Sequence, residues 1–362
     1  MLARMEAASR GLDPGFAQGP SDPLVSGSPE SAVPVHALGR EGARLVGTTV
    51  GAATIETVTG TSARQSPIRV FVGVDAAATV PERVDLAMTE LRRTGAFDRG
   101  YLLIQAPAGT GYANATPVDV LELLSSGDCA TVAVAYGLLP SFLSLGKVPV
   151  ASLTQRLLIE AIAAELADRD TRPRVLLYGE SLGAKVQQAA IPGGLADLDR
   201  FGIQAALWVG TPGSVEADVF ASRCRTSSIT VDRPDQVPDP LPVPRPRVWF
   251  LAHDGDPVVR FRPELLRTRP DWLPVDGSRG RNIPAGMTWK PVITWAQALV
   301  DTVFATDVKP GDFRSIGHDY RADLGALVRH AFDLPADGPT ALRLEEQLRA
   351  LEVSRAARIA ES

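Results

Sequence analysis

From Arg69 onward the apolar positions fall into short bulky runs separated by amphipathic stretches. RVFVGV (69–74), YLLIQAP (101–107), TVAVAYG (131–137), VLLY (175–178), IQAALWVG (203–210) and RVWFLAH (247–253) have the length and the β-branched and aromatic content of strands. Between the first two, Thr79 and Pro81 open a helix that sets Val84, Ala87, Met88 and Leu91 on one face. Thr116, followed by Pro117, opens another, and residues 153–167 form a third that is apolar over more than half its circumference. Unbroken apolar strands alternating with helices predict an α/β fold: a mostly parallel central sheet covered by helices on both faces.

The flanks read differently. Residues 1–35 are rich in Gly, Pro, Ser and Ala without a sustained period, which predicts a flexible N-terminal arm; residues 36–362 form one domain. Within 36–60, LGREGARLVG suggests a helix turn and TIETVTG an edge strand. Two stretches are expected as cap-like insertions. Residues 211–245 lose their period and end in prolines 234, 238, 240, 242 and 244, which exclude a central strand; residues 257–315 are broken by prolines around Trp272, with a helix over 289–305. The C-terminal pattern predicts helices within 322–359, the last carrying Leu344, Leu348 and Leu351 on one side.

The break in the fourth run is where chemistry concentrates. VLLY runs into Gly179-Glu180-Ser181-Leu182-Gly183 and then into helix-favouring residues. A serine on a tight strand-to-helix turn has a strained backbone and a projecting hydroxyl, and the crossing of strand and helix leaves room only for very small side chains two residues away on either side. Gly179 and Gly183 meet that need. The helix start also aims free N–H groups at the place where an oxyanion would form.

Composition narrows the partners. With a formal net charge of −5 in 362 residues, the chain lacks the basic excess of a sequence-independent nucleic-acid binder. Cys129 and Cys224 fit neither a metal spacing nor a disulfide framework, as expected of buried thiols in a reducing compartment. No run approaches membrane-spanning length and the first residues have no apolar signal core, so the expectation is a soluble, cytoplasmic protein. No phosphate-loop spacing, dinucleotide fingerprint or His/Cys/Asp cluster is present, so neither a cofactor nor a metal is expected.

A serine nucleophile needs a base, an acid to orient that base, and oxyanion donors. On a sheet with a nucleophile turn of this kind the chain order is Ser, acid, His. Of the four histidines, His36 precedes the turn, His330 lies in a helical pattern, and His253 closes the strand that should carry the acid, where it can support the loop. His318, on a loop between helices, is the best base. Asp254 and Asp256 both follow the 247–253 strand. Asp256 is preferred because Pro257 fixes its turn, which leaves Asp254 as a solvated loop charge. The backbone N–H of Leu182 and one from the Gly109–Gly111 loop, assigned to Thr110, are the expected oxyanion donors. Tyr136, Leu138, Leu139, Phe142, Trp272 and Trp289 are apolar candidates around the site.

Several of these motifs together resemble one family. Leu38-Gly39-Arg40-Glu41-Gly42, Gly95-Ala96-Phe97-Asp98-Arg99, Pro107-Ala108-Gly109-Thr110-Gly111-Tyr112, Gly179 to Gly183, Asp256-Pro257, Arg269-Pro270-Asp271-Trp272-Leu273 and Gly317-His318 carry the likeness. Over residues 38–320 the chain resembles the hydrolase half of an actinobacterial α/β-hydrolase family formerly classed as a domain of unknown function, usually found behind a membrane-spanning half. The resemblance implies an α/β-hydrolase fold and the set Ser181, Asp256 and His318; Asp319 departs from the family pattern, which has a glycine there. The leading expectation is a serine hydrolase that cleaves a carboxylic ester or related acyl bond of a small molecule through an acyl-enzyme, in the manner of an esterase. An acyltransferase or cyclising enzyme using the same residues, and a non-catalytic binding module on the same fold, are the alternatives.

Overall fold

The computed structural model describes residues 2–139, 145–274, 279–305, 311 and 313–361. The six predicted runs are all strands: β1 (Ile68–Val72), β2 (Tyr101–Ala106), β3 (Cys129–Val134), β4 (Arg174–Glu180), β5 (Ile203–Val209) and β7 (Val248–Leu251), with β6 (Ser228–Val231) added at the edge. All neighbours are parallel, in the order β1-β3-β2-β4-β5-β7-β6, so β4 lies at the centre between β2 and β5. The strands are nearly continuous in burial because helices cover both faces.

The helices follow in chain order: α1 (Leu2–Arg10), α2 (Gly39–Val46), α3 (Ala52–Thr59), α4 (Val80–Arg93), α5 (Ala115–Leu124), α6 (Val148–Ala167), α7 (Leu182–Ala190), α8 (Leu195–Arg200), α9 (Val215–Cys224), α10 (Pro257–Arg260), α11 (Ile293–Phe304), α12 (Arg321–Ala331) and α13 (Gly338–Ala360). The step from β1 to β2 and the step from β2 to β3 run in opposite directions across the sheet. Right-handed crossovers therefore put α4 and α5 on opposite faces. Accordingly α4, α6 and α7 pack in one row, and α3, α5, α12 and α13 pack together. Thr79 caps α4 in a reciprocal capping box with Glu82. Trp208, Trp249, Tyr178 and Phe71 are the largest apolar side chains buried in the sheet.

Arg69 on β1 is wholly buried, held by Glu122 (2.6 Å) and Asp119 (2.8 Å) of α5. From Asp119 the charges continue through Arg355 of α13 (2.7 Å) to Glu352 (3.5 Å), and from Glu352 to Arg321 at the start of α12. Arg321 in turn holds Asp319 (2.9 Å). Paired, hydrogen-bonded charges are tolerated in such a place, whereas a single orphaned one is costly.

Four expectations are corrected. Residues 2–35 are not a flexible arm: Phe16, Val25 and Val33 are buried, Val25 bridges to Arg69, and Glu90 of α4 accepts from Ser26 Oγ, Ser31 Oγ and the Ala32 N–H. A Gly/Pro-rich segment has found a few apolar sockets and a buried carboxylate that replace a helical or strand period. The TIETVTG segment lies in α3, because tertiary packing of Ile55 and Val58 overrides its β-branched bias. Residues 211–245 hold α9, capped by Ser214, and the edge strand β6, so only the proline-rich part is irregular. The expected helix over 289–305 is shorter, and its observed extent is that of α11.

Deleting residues 1–35 is expected to lower Tm by about 5 °C or more, since each buried apolar side chain contributes about 1.5–3 kcal/mol. Differential scanning calorimetry of the full and shortened chains checks this; equal Tm values would refute it.

Candidate active site

β4 ends at Glu180 and α7 begins at Leu182, leaving Ser181 as the hinge with φ 54° and ψ −124°. A non-glycine residue there is strained, and the surroundings hold it in place. The Ser181 N–H donates to the Val209 carbonyl at the end of β5 (2.8 Å). A side chain on Gly183 would begin 2.3 Å from the Ala106 carbonyl oxygen, and one on Gly179 would begin 2.8 Å from Ala184 Cα. The helix start is thereby pressed against the end of β2. Glu180 Oε2 accepts from Tyr178 Oη (2.7 Å) and from Asn114 Nδ2 (2.7 Å), and Asn114 also caps α5, so the turn is tied to the loop beyond β2.

Leu182 opens α7, so its N–H has no intrahelical acceptor. The loop bearing Thr110 is closed by the Gly111 N–H on the Ala108 carbonyl (2.9 Å) and the Ala108 N–H on the Tyr112 carbonyl (2.8 Å). It leaves the C-terminal end of β2, beside the serine strand. Parallel sheets bind their ligands at this edge. Tyr136 is buried with Leu182 and Val186, and Leu138 and Leu139 are buried nearby in sequence. Trp272 is partly buried and the Trp289 indole donates to the Leu265 carbonyl (3.2 Å). Phe142 lies outside the described residues.

Asp256 is fully buried as the N-cap of α10. Its Oδ1 accepts from the Val258 N–H (2.8 Å), and its Oδ2 accepts from Tyr320 Oη (2.5 Å) and faces His318 Nδ1 (2.7 Å). Asp254 points elsewhere, onto Arg260 (2.8 Å), and its side chain is about a third exposed. Of the two carboxylates considered in the sequence, the structure joins Asp256 to His318.

The His318 ring is buried, and its Nε2 has no hydrogen-bond partner among the described residues. Gly210, directly after β5, makes room for it: with φ +56°, a side chain there would begin 2.9 Å from His318 Cε1 and 2.8 Å from Tyr320 Cε2. The ring thus sits beyond the strand whose last carbonyl holds the Ser181 N–H. Burial drives the imidazole towards its neutral form, but the Asp256 charge and hydrogen bond outweigh this and raise its pKa above the ordinary histidine value.

Each of the other histidines has a different setting. His36 lies in a single 3₁₀ turn before α2. His330 stacks on Trp249, and burial lowers its pKa. His253 is fully buried beside Tyr320. Tyr320, Gly210 and Asn114 adjoin the candidate residues, and the sequence reading missed them. Only the position of Tyr320, two residues after His318, offered a signal. Among the described residues, no group of three His, Cys, Asp or Glu side chains is arranged to hold a metal ion, and no helix is long and apolar enough to cross a membrane.

Comparison with known proteins gives one broad match. The model of a family described as the alpha/beta-hydrolase family matches residues 68–335. Among curated proteins, none matches. Two solved structures are similar over part of the chain. One is an acetylxylan esterase, with 15% identity, 44% of this chain and 85% of that chain covered, and a TM-score of 0.27. The other is an iodinated complex of acetyl xylan esterase, with 14% identity, the same coverage and the same TM-score.

The strained serine makes a stability prediction that needs no substrate. Ser181→Gly is expected to be more stable than Ser181→Ala by about 1 kcal/mol, because only glycine accepts that backbone conformation without strain. Urea unfolding of the two variants measures the difference, and an alanine variant of equal or greater stability would contradict it.

Proposed function

This chain belongs to the α/β-hydrolase family, and on that premise we propose that it is a serine hydrolase that cleaves a carboxylic ester or related acyl bond of a small molecule. The observation that carries the reading is the His318 ring: Nδ1 is bonded to a buried carboxylate, while Nε2 is buried without a partner among the described residues. A buried polar atom left unpaired is costly unless something binds it in use. With Nδ1 carrying the proton donated to Asp256, Nε2 is the basic nitrogen, available to the Ser181 hydroxyl.

In this mechanism Ser181 Oγ attacks the acyl carbon as its proton passes to His318 Nε2. The oxygen of the tetrahedral intermediate accepts from the N–H groups of Leu182 and Thr110, and the positive end of α7 adds to its stabilisation. His318 then protonates the departing alcohol, leaving an acyl-enzyme. Water attacks that ester with His318 again as base, and His318 returns the proton to Ser181 Oγ as the carboxylic acid leaves. Asp256 fixes the tautomer of His318 and offsets the imidazolium charge; the hydroxyl of Tyr320 and the N–H of Val258 hold Asp256 itself.

A fluorophosphonate should label Ser181, and Ser181→Ala should abolish labelling. Asp256→Asn should reduce kcat by about three to four orders of magnitude, since the imidazole loses its orienting partner, while Asp254→Asn should change it little. Rates with an activated short-chain ester, measured beside thermal melts, check both; a damaging Asp254→Asn would move the acid to that residue.

The pH profile is a further test. Catalysis needs neutral His318, whose pKa is raised, so kcat/KM should fall as pH drops through a value above the ordinary histidine pKa of about 6.5. An acid limb centred well below 6.5 would overturn the assignment of His318 as base.

A further inference from the structure

The turn that carries Asp256 and the loop that carries His318 meet at one residue that the mechanism does not use. His253 is fully buried three residues before Asp256. Its Nδ1 lies 2.8 Å from the carbonyl oxygen of Gly317, the residue directly before His318. A carbonyl only accepts, so Nδ1 is a donor in this contact. On the other side of the ring, Nε2 lies 2.7 Å from Asp323 Oδ2 in the first turn of α12, and that oxygen accepts from Ser315 Oγ. The backbone N–H of His253 donates to Tyr320 Oη (3.1 Å), the hydroxyl that donates to Asp256. The two rings are stacked with centroids 3.9 Å apart.

The loop around His318 has little order of its own. Among the described residues its backbone pairing is one isolated bridge between Ile316 and Asp319, with the Asp319 N–H on the Ile316 carbonyl (3.2 Å). Its place is therefore set by what it docks on; on the acid side that is Asp256, through His318 and Tyr320, and His253, which holds the loop's own backbone. Reaction rates are steeply sensitive to such placement.

We infer that His253 is a positioning residue for His318, acting chiefly through the Nδ1 hydrogen bond to the Gly317 carbonyl, which locks the base-bearing loop onto the acid-bearing turn. It touches neither Asp256 nor His318 through its ring nitrogens, so its effect is on geometry. The inference deepens the serine-hydrolase reading and rests on it for its kinetic consequence.

The two ring contacts can be separated by side-chain shape. In His253→Asn the amide nitrogen stands near the place of Nδ1 and keeps the bond to Gly317. In His253→Gln it reaches towards the place of Nε2 and keeps only the Asp323 side. The readouts are kcat and KM for an activated short-chain ester, fluorophosphonate labelling, Tm, and the low-field proton NMR signal of the His318 Nδ1–H. His253→Asn is expected to stay within about threefold of wild-type kcat and to keep the signal, while His253→Gln loses about tenfold or more in kcat at unchanged KM and shifts or loses the signal.

Equal behaviour of the Asn and Gln variants, or losses that simply track Tm, would overturn the inference. If the folded wild-type chain resists the probe and turns over no ester, the hydrolase reading fails by itself. The NMR signal then decides the positioning claim, and a signal unchanged in both variants sinks it.

Discussion

The constraint on which the rest of the site depends is the contact between the first turn of α7 and the end of β2. With no side chain on Gly183, the helix backbone lies directly against the Ala106 carbonyl. This contact brings the Leu182 N–H and the Thr110 loop to the same edge of the sheet, and it leaves Ser181 no relaxed conformation to adopt. The strain, of the order of 1–3 kcal/mol, is spread into a strand flanked on both sides by parallel partners and buried along most of its length. A serine at an edge strand would have no such frame to hold it.

The parts of the molecule that were legible in the sequence are those governed by local rules. Six strands were visible because strands covered on both faces need continuous apolar runs. Ser181, Asp256 and His318 could be nominated from chain order and turn chemistry, and the structure has Ser181 on a strained strand-to-helix turn and Asp256 bonded to His318. β6 was not, since SITV is a short edge segment between a helix and a run of prolines. The packed N-terminal segment was hidden for a related reason: its order comes from Glu90, more than fifty residues away in sequence, which collects Ser26, Ser31 and Ala32. Tyr320 and Gly210 escaped because their roles exist only where two strand ends and a distant loop converge.

Two histidines beside carboxylates, so close together, show how differently the fold can surround one residue type. His318 has one nitrogen held and one bare; His253 has both nitrogens occupied. Only the first can exchange a proton with a ligand without breaking a contact of the fold. Tyr320 lies between them, its ring stacked on one and edge-on to the other, while its hydroxyl serves Asp256. Buried ionic and polar contacts of this kind add little net stability compared with apolar packing, and what they contribute here is a single arrangement of loops.

The charge relay from Arg69 to Asp319 carries a consequence for how the molecule is made. Glu352 and Arg355, in the middle of α13, complete the pairing of Arg321 and Asp119, and Arg321 is what holds the residue next to His318. On the ribosome the sheet up to β7 can form while this helix is still inside the exit tunnel, because none of its strand pairings involves the helix. The ion pairs that back the His318 loop, from Arg321 to Glu352, cannot close until residue 352 has emerged. A nascent chain would thus carry a folded sheet and its serine turn for some seconds before these pairs close, so that the ionic backing of the His318 loop is the last part of the molecule to be finished.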